Sequence, residues 1–128
     1  MSDNKDDEYL NYVNQLRNTL EVASAEPEEQ CDAMGAYNAP WELKTGGCDF
    51  IDACLSLQRG QLDAATVARL IELRSALQQL PEEAVTPTGE VMTTFKGCLV
   101  AFRHPAWIPI RASARDLMWS IPDPFAGP

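Results

Sequence analysis

From Asp63 to Pro81 an apolar residue returns every three or four positions: Val67, Leu70, Leu73, Leu77 and Leu80. That period fits the 3.6 residues of an α-helical turn and not the two of a strand, so it fixes a helix with one face to bury. Asp63 stands at the N-cap position, Leu62 and Val67 stand where a hydrophobic staple needs them, and Pro81 supplies the stop. The same period recurs at Tyr9, Val13, Leu16, Leu20 and Ala23, and again at Trp107, Ile110, Ala114, Leu117 and Ile121. No segment alternates apolar and polar residues as a half-buried strand would. The expected fold is therefore all-α: a single-domain bundle of five to six helices, with the fourth and sixth central because their stripes are longest.

Prolines and glycines set the expected boundaries. The first helix is expected at about residues 7–24, capped by Asp6 or Asp7, with residues 1–6 and 122–128 as extended tails. Pro27-Glu28-Glu29 reads as the start of a second helix, which carries Cys31, Met34, Tyr37 and Trp41 and forms an antiparallel hairpin with the first. Pro40 either kinks that helix or ends it near Asn38, and Gly46-Gly47 reads as a break. Asp49 is then expected to cap a short third helix that Gly60 stops. A fifth helix at about 88–103 would bury Val91, Phe95, Leu99 and Phe102, and His104-Pro105 would end it. Trp107 and Trp119 are expected in the core, whereas Tyr37 and Trp41, at the proline break, are expected partly exposed.

Composition excludes several classes. A chain of 128 residues fits one domain, and 45% hydrophobic residues suits a packed core rather than a disordered chain. No apolar run approaches the roughly 20 residues needed to span a bilayer. The polar, acidic start Met1 to Glu8 has neither the basic flank nor the apolar stretch of a signal peptide, so a cytoplasmic location is expected. Cys31, Cys48, Cys54 and Cys98 then default to reduced thiols. They contain no Cys-x-x-Cys pair, and the single histidine is His104, so neither a metal site nor a cofactor is expected.

Charge is the uneven feature. Residues 1–54 hold 12 carboxylates against three cations, while residues 55–128 hold seven of each. The densest acidic run, Glu21 to Asp32, spans the end of the first helix and the start of the second. Carboxylates at helix starts serve as caps, and an acidic surface also aids solubility. As a functional face the same run fits a basic protein partner, because complementary charge steers association and excludes wrong partners. It does not fit direct contact with nucleic acid, whose phosphates need Lys and Arg. The candidate partner-binding residues are Glu21, Glu26, Glu28, Glu29, Asp32 and Glu42 for charge, with Tyr37 and Trp41 as aromatic anchors. The alternative location is the set Arg103, Arg111 and Arg115 on the neutral half.

No catalytic pattern accompanies these residues. Gly46-Gly47 lacks the Gly-Lys-Ser/Thr ending of a phosphate loop, there is no Gly-x-Ser-x-Gly, and Cys98 and His104 would point apart on a helix. No enzyme activity is expected, and no catalytic residue is assigned. Three segments carry a resemblance: Pro27-Glu28-Glu29-Gln30-Cys31, the run from Met34-Gly35-Ala36-Tyr37 to Leu43, and His104-Pro105-Ala106-Trp107 with Arg111 and Ala114 after it. Through them the chain resembles the small acidic helical immunity proteins of bacterial toxin systems, including those of contact-dependent inhibition. The resemblance implies a protein-binding inhibitor that neutralises a basic toxin domain. A small acidic adaptor or secretion chaperone is the alternative, and a cysteine-dependent enzyme the third reading.

Overall fold

The computed structural model describes residues 4–34, 38–58 and 60–121, and these form an all-α domain with no strand among them. The helices are α1 (Asn4–Ser24), α2 (Pro27–Met34), α3 (Ala39–Leu57), α4 (Ala64–Gln78), α5 (Phe95–Phe102) and α6 (Trp107–Ser120), with a 3-10 turn at Glu82–Ala84. Four of them make the body of the bundle: α1 packs against α3 and α6, and α4 packs against the same two.

Cross-contacts give the directions. Tyr12 faces Phe50 at 6.5 Å between ring centroids, while Thr19, further along α1, lies beside Gly47, earlier on α3. On the other flank Ser24 meets Met118 and Arg17 meets the carbonyl of Ile121. Asp52 and Gly47 of α3 meet Arg74 and Leu77 of α4 in the same reversed sense. Long helices therefore alternate up and down around a square. The two short helices, α2 and α5, are inserted in the connections α1–α3 and α4–α6, which lie at one end of the bundle. They pack on each other there.

The helical stripes fall where the sequence puts them. Tyr9, Val13, Leu16, Leu20 and Ala23 of α1 are buried, as are Leu70, Leu73 and Leu77 of α4 and Trp107, Ile110, Ala114 and Leu117 of α6. Asp63 caps α4 by accepting from the Thr66 amide at 2.7 Å, and this holds its carboxyl below the usual range. Leu62 is buried beside it and Val67 is packed against the core. Trp107 lies fully buried, and its indole donates to the Ala84 carbonyl at 2.8 Å, so the ring brings no unpaired polar atom inside.

Several expectations are corrected. Helix α1 already includes Asn4, Lys5 and Asp6, so residues 4–6 are not an extended tail and Asp6 and Asp7 are not its caps. Residues 122–128 lie outside the described residues. Pro40 neither kinks nor ends the second helix: it sits in the first turn of α3, where its missing amide proton costs nothing. Asn38 provides the cap, its Oδ1 accepting from the Trp41 amide at 3.1 Å. Gly46-Gly47 is not a break but lies inside α3, so Asp49 caps nothing.

The fifth helix starts at Phe95 under the Thr94 cap, not near residue 88, and leaves Val91 62% and Phe95 50% exposed. Trp119 stands 89% exposed on α6 instead of in the core. The expected hairpin of the first two helices gives way to antiparallel α1 and α3, while α2 turns aside to α5. All four long helices share the centre, which does not belong to the fourth and sixth alone.

Candidate functional site

The last carbonyls of α1 have no intrahelical donor, as at the C-terminus of any helix. In this chain the Ala25 amide donates to the Val22 carbonyl and the Ser24 hydroxyl to that of Glu21, and side chains from α2 and α6 supply the further donors. Gln30, fully buried, donates from Nε2 to the Val22 and Ala23 carbonyls at 3.1 and 3.4 Å. Arg115 donates to the Ser24 carbonyl at 3.0 Å. Arg111 donates to the Ala25 carbonyl at 2.8 Å, to Gln30 Oε1 at 3.2 Å and to the Phe102 carbonyl at 3.3 Å. Cations at the negative end of a helix are favourable, so the arginines serve α1 both as donors and as charges. Arg17 of α1 returns the arrangement by donating to the Ile121 carbonyl just past α6.

These arginines also meet the expected acidic site. Arg103 pairs with Glu28 at 2.6 Å, which holds that carboxyl below its ordinary range. Arg115 approaches Glu26 at 3.8 Å. The residues proposed as the alternative site, Arg103, Arg111 and Arg115, therefore lie against the acidic run itself. Asp52, further along the acidic half, is engaged bidentately by Arg74 at 2.5 and 2.9 Å.

Glu21, Glu29, Asp32 and Glu42 are exposed, and none of them has an ion-pair partner among the described residues. Trp41 is 50% exposed at the start of α3. Tyr37 lies outside the described residues. Beside Glu42 a groove of about 340 Å³ runs between α1 and α3, reaching Ala33 of α2 at one end. Its apolar lining is Val22, Leu43 and Phe50, its polar lining is Asn18, Thr19 and Glu42, and no cation lines it. Glu42, Gly46 and Asp49 follow at spacings of four and three, so they share one face of α3. Glu29 precedes Ala33 by one helical turn.

Sequence reasoning missed Gly46, Val22 and Phe50 as groove residues. The signal was the glycine pair, which reads locally as a helix break and not as a low point on a helix surface. A second groove of about 330 Å³, lined by Arg17, Ser24, Arg115, Met118 and Trp119, lies between α1 and α6.

The thiols are placed for packing. Cys31 and Cys98 are buried against each other where α2 meets α5, and burial pushes both up in pKa. Burial alone raises Cys54 to about 11. A thiol held protonated in this way is a poor nucleophile near neutral pH. His104 follows α5 in a turn, where its Nδ1 accepts from the Ala106 amide at 3.0 Å. Among the described residues no three His, Cys, Asp or Glu side chains gather as a metal cage, and no helix is long and apolar enough to cross a membrane. The chain matches no protein-family model, no curated protein and no solved structure.

Proposed function

We propose that this chain is a protein-binding inhibitor of the toxin-immunity type, which holds a basic partner domain on its acidic N-terminal half. The observation that supports the reading is the mouth of the α1–α3 groove. There Glu42 borders an apolar lining of Val22, Leu43 and Phe50 that contains no cation, and Trp41, the residue before it in the first turn of α3, is half-exposed. A large exposed aromatic is a common interface anchor, and charge of one sign raises the rate of productive encounter.

The contact set narrows from the sequence expectation. Glu26 and Glu28 lie beside Arg115 and Arg103, whose charges offset theirs, so the uncompensated carboxylates of the set are Glu21, Glu29, Asp32 and Glu42. The partner is sought by co-expressing the neighbouring gene product and purifying the pair, and association is then timed by stopped flow. The triple reversal Glu29→Lys, Asp32→Lys and Glu42→Lys is expected to slow association by about ten-fold or more at low salt. The difference should shrink as the screening length falls to about 8 Å in physiological buffer. Trp41→Ala is expected to speed dissociation, with the thermal midpoint measured alongside. An unchanged, salt-independent association rate for the triple variant overturns the reading.

A further inference from the structure

Two adjacent glycines in α3 do different things. A Cβ on Gly47 would lie 2.9 Å from Leu77 Cδ1 and 3.8 Å from Thr19 Cγ2, so Gly47 is the point where α4 and α1 close on α3. A Cβ on Gly46 would meet only Phe50 Cε2 of its own helix, at 3.9 Å. Glycine inside a helix is unfavourable compared with alanine. Packing accounts for Gly47, but nothing in the fold requires Gly46 to lack a side chain. Its position is the floor of the α1–α3 groove, between the apolar residues Val22, Leu43 and Phe50.

We infer that Gly46 is a notch for an α-helix of the partner, basic and amphipathic, lying along the α1–α3 groove. The groove's edge on α3 runs from Glu42 to Phe50, about 12 Å of helix at 1.5 Å per residue. Two turns of a docked helix cover that length and present apolar side chains at i, i+3 or i+4, and i+7. The middle one enters over Gly46, where α3 has no side chain to keep it out. Glu42 and Asp49 share the face of Gly46, and Glu29 lies one turn from Ala33, so carboxylates border the track on α3 and α2. Lysine or arginine on the flanks of the incoming helix meets them. An acidic or uniformly apolar helix fits the same shape but not this border.

The inference rests on the protein-binding reading above and specifies what occupies the site. It is tested on the full chain with a labelled synthetic peptide of lysine and leucine, the leucines at i, i+3, i+4 and i+7. A scrambled peptide of identical composition is the control. Anisotropy is expected to show the ordered peptide binding more tightly than the scrambled one. Gly46→Leu, which fills the notch with an uncharged side chain, is expected to weaken binding of the ordered peptide by about ten-fold or more. Circular dichroism and the thermal midpoint check its fold.

Amide chemical shifts of the unmodified protein give a readout that needs no variant: changes are expected at Asn18, Val22 and Gly46 and not at Trp119. Equal binding of both peptides, a shift map elsewhere, or indifference of a folded Gly46→Leu protein overturns the inference. The triple charge reversal separates the two failures. If it slows the authentic partner while Gly46→Leu does not affect the peptide, the acidic reading stands and a docked helix is the wrong occupant.

Discussion

The α1–α2 turn and the α1–α3 groove draw on the same acidic stretch of chain, but cations close the first and leave the second open. At the turn, Glu26 and Glu28 meet Arg115 and Arg103, while Arg111 and the buried Gln30 take up the carbonyls that end α1. At the groove, Glu42 stands over Val22, Leu43 and Phe50 with no cation in the lining. A run of carboxylates in sequence is thus not one acidic surface. Part of it is offset by arginines from the C-terminal half, and Glu21, Glu29, Asp32 and Glu42 have no ion pair among the described residues. Because arginine binds carbonyls and carboxylates with one planar group, three residues from the C-terminal half suffice to join the turn to α5 and α6.

The closed turn is most vulnerable at Arg111. Arg111→Met keeps the apolar stem but leaves the Ala25 carbonyl, the Phe102 carbonyl and buried Gln30 Oε1 without their donor. Each acceptor that water does not reach should cost about 1–3 kcal/mol in urea unfolding. A change of only a few tenths would mean that solvent replaces the guanidinium and the turn is not closed.

On the groove side the two glycines of α3 differ in what surrounds them. Gly47→Leu drives new atoms into Leu77 and should cost about 1–3 kcal/mol, the usual range for overpacking. Gly46→Ala should instead stabilise by about 0.5–1 kcal/mol, because it removes helix-interior glycine at a site with room for a methyl group. If both substitutions move stability in the same direction, the contrast between notch and packing contact is lost.

The smallest effect belongs to the Glu28–Arg103 pair, which is exposed on both sides. Glu28 has a folded-state pKa below its ordinary value of 4.5, chiefly through the hydrogen bond from Arg103. Its contribution is therefore present above that value and is lost as the pH falls through the depressed one. The stability difference between wild type and Glu28→Gln should be small at neutral pH and vanish in acid, which paired thermal scans across that window would show. A difference that grows on acidification would assign Glu28 an unfavourable environment and contradict the pairing.

Legibility followed the range of the interactions. Asp63, the α4 stripe and the α6 stripe were readable because a cap and a 3.6-residue period are properties of neighbouring residues. The start of α5 was misplaced because Val91 and Phe95 fit the helical period, yet the Thr94 side chain caps a helix that begins only at Phe95, with Val91 outside it and both residues exposed. Glu42 was named from the sequence as a candidate, but the groove it lines was not, since that lining includes a residue with no side chain.

That the protein is helical, where most of its helices lie, which faces they bury, and that its charge is concentrated in the first half are all legible in the chain alone. Those properties come from periodicity and composition, which require no knowledge of what packs where. Packing, and not local sequence, decided that α3 runs through Gly46-Gly47, because a glycine pair weakens a helix in isolation but permits close approach when Leu77 packs onto it. It also decided which carboxylates remain free. Arg103, Arg111 and Arg115 reach the α1–α2 turn across more than 70 residues of chain, through the antiparallel pairing of α1 with α6 and the packing of α2 on α5. Local sequence carries no record of a contact at that separation.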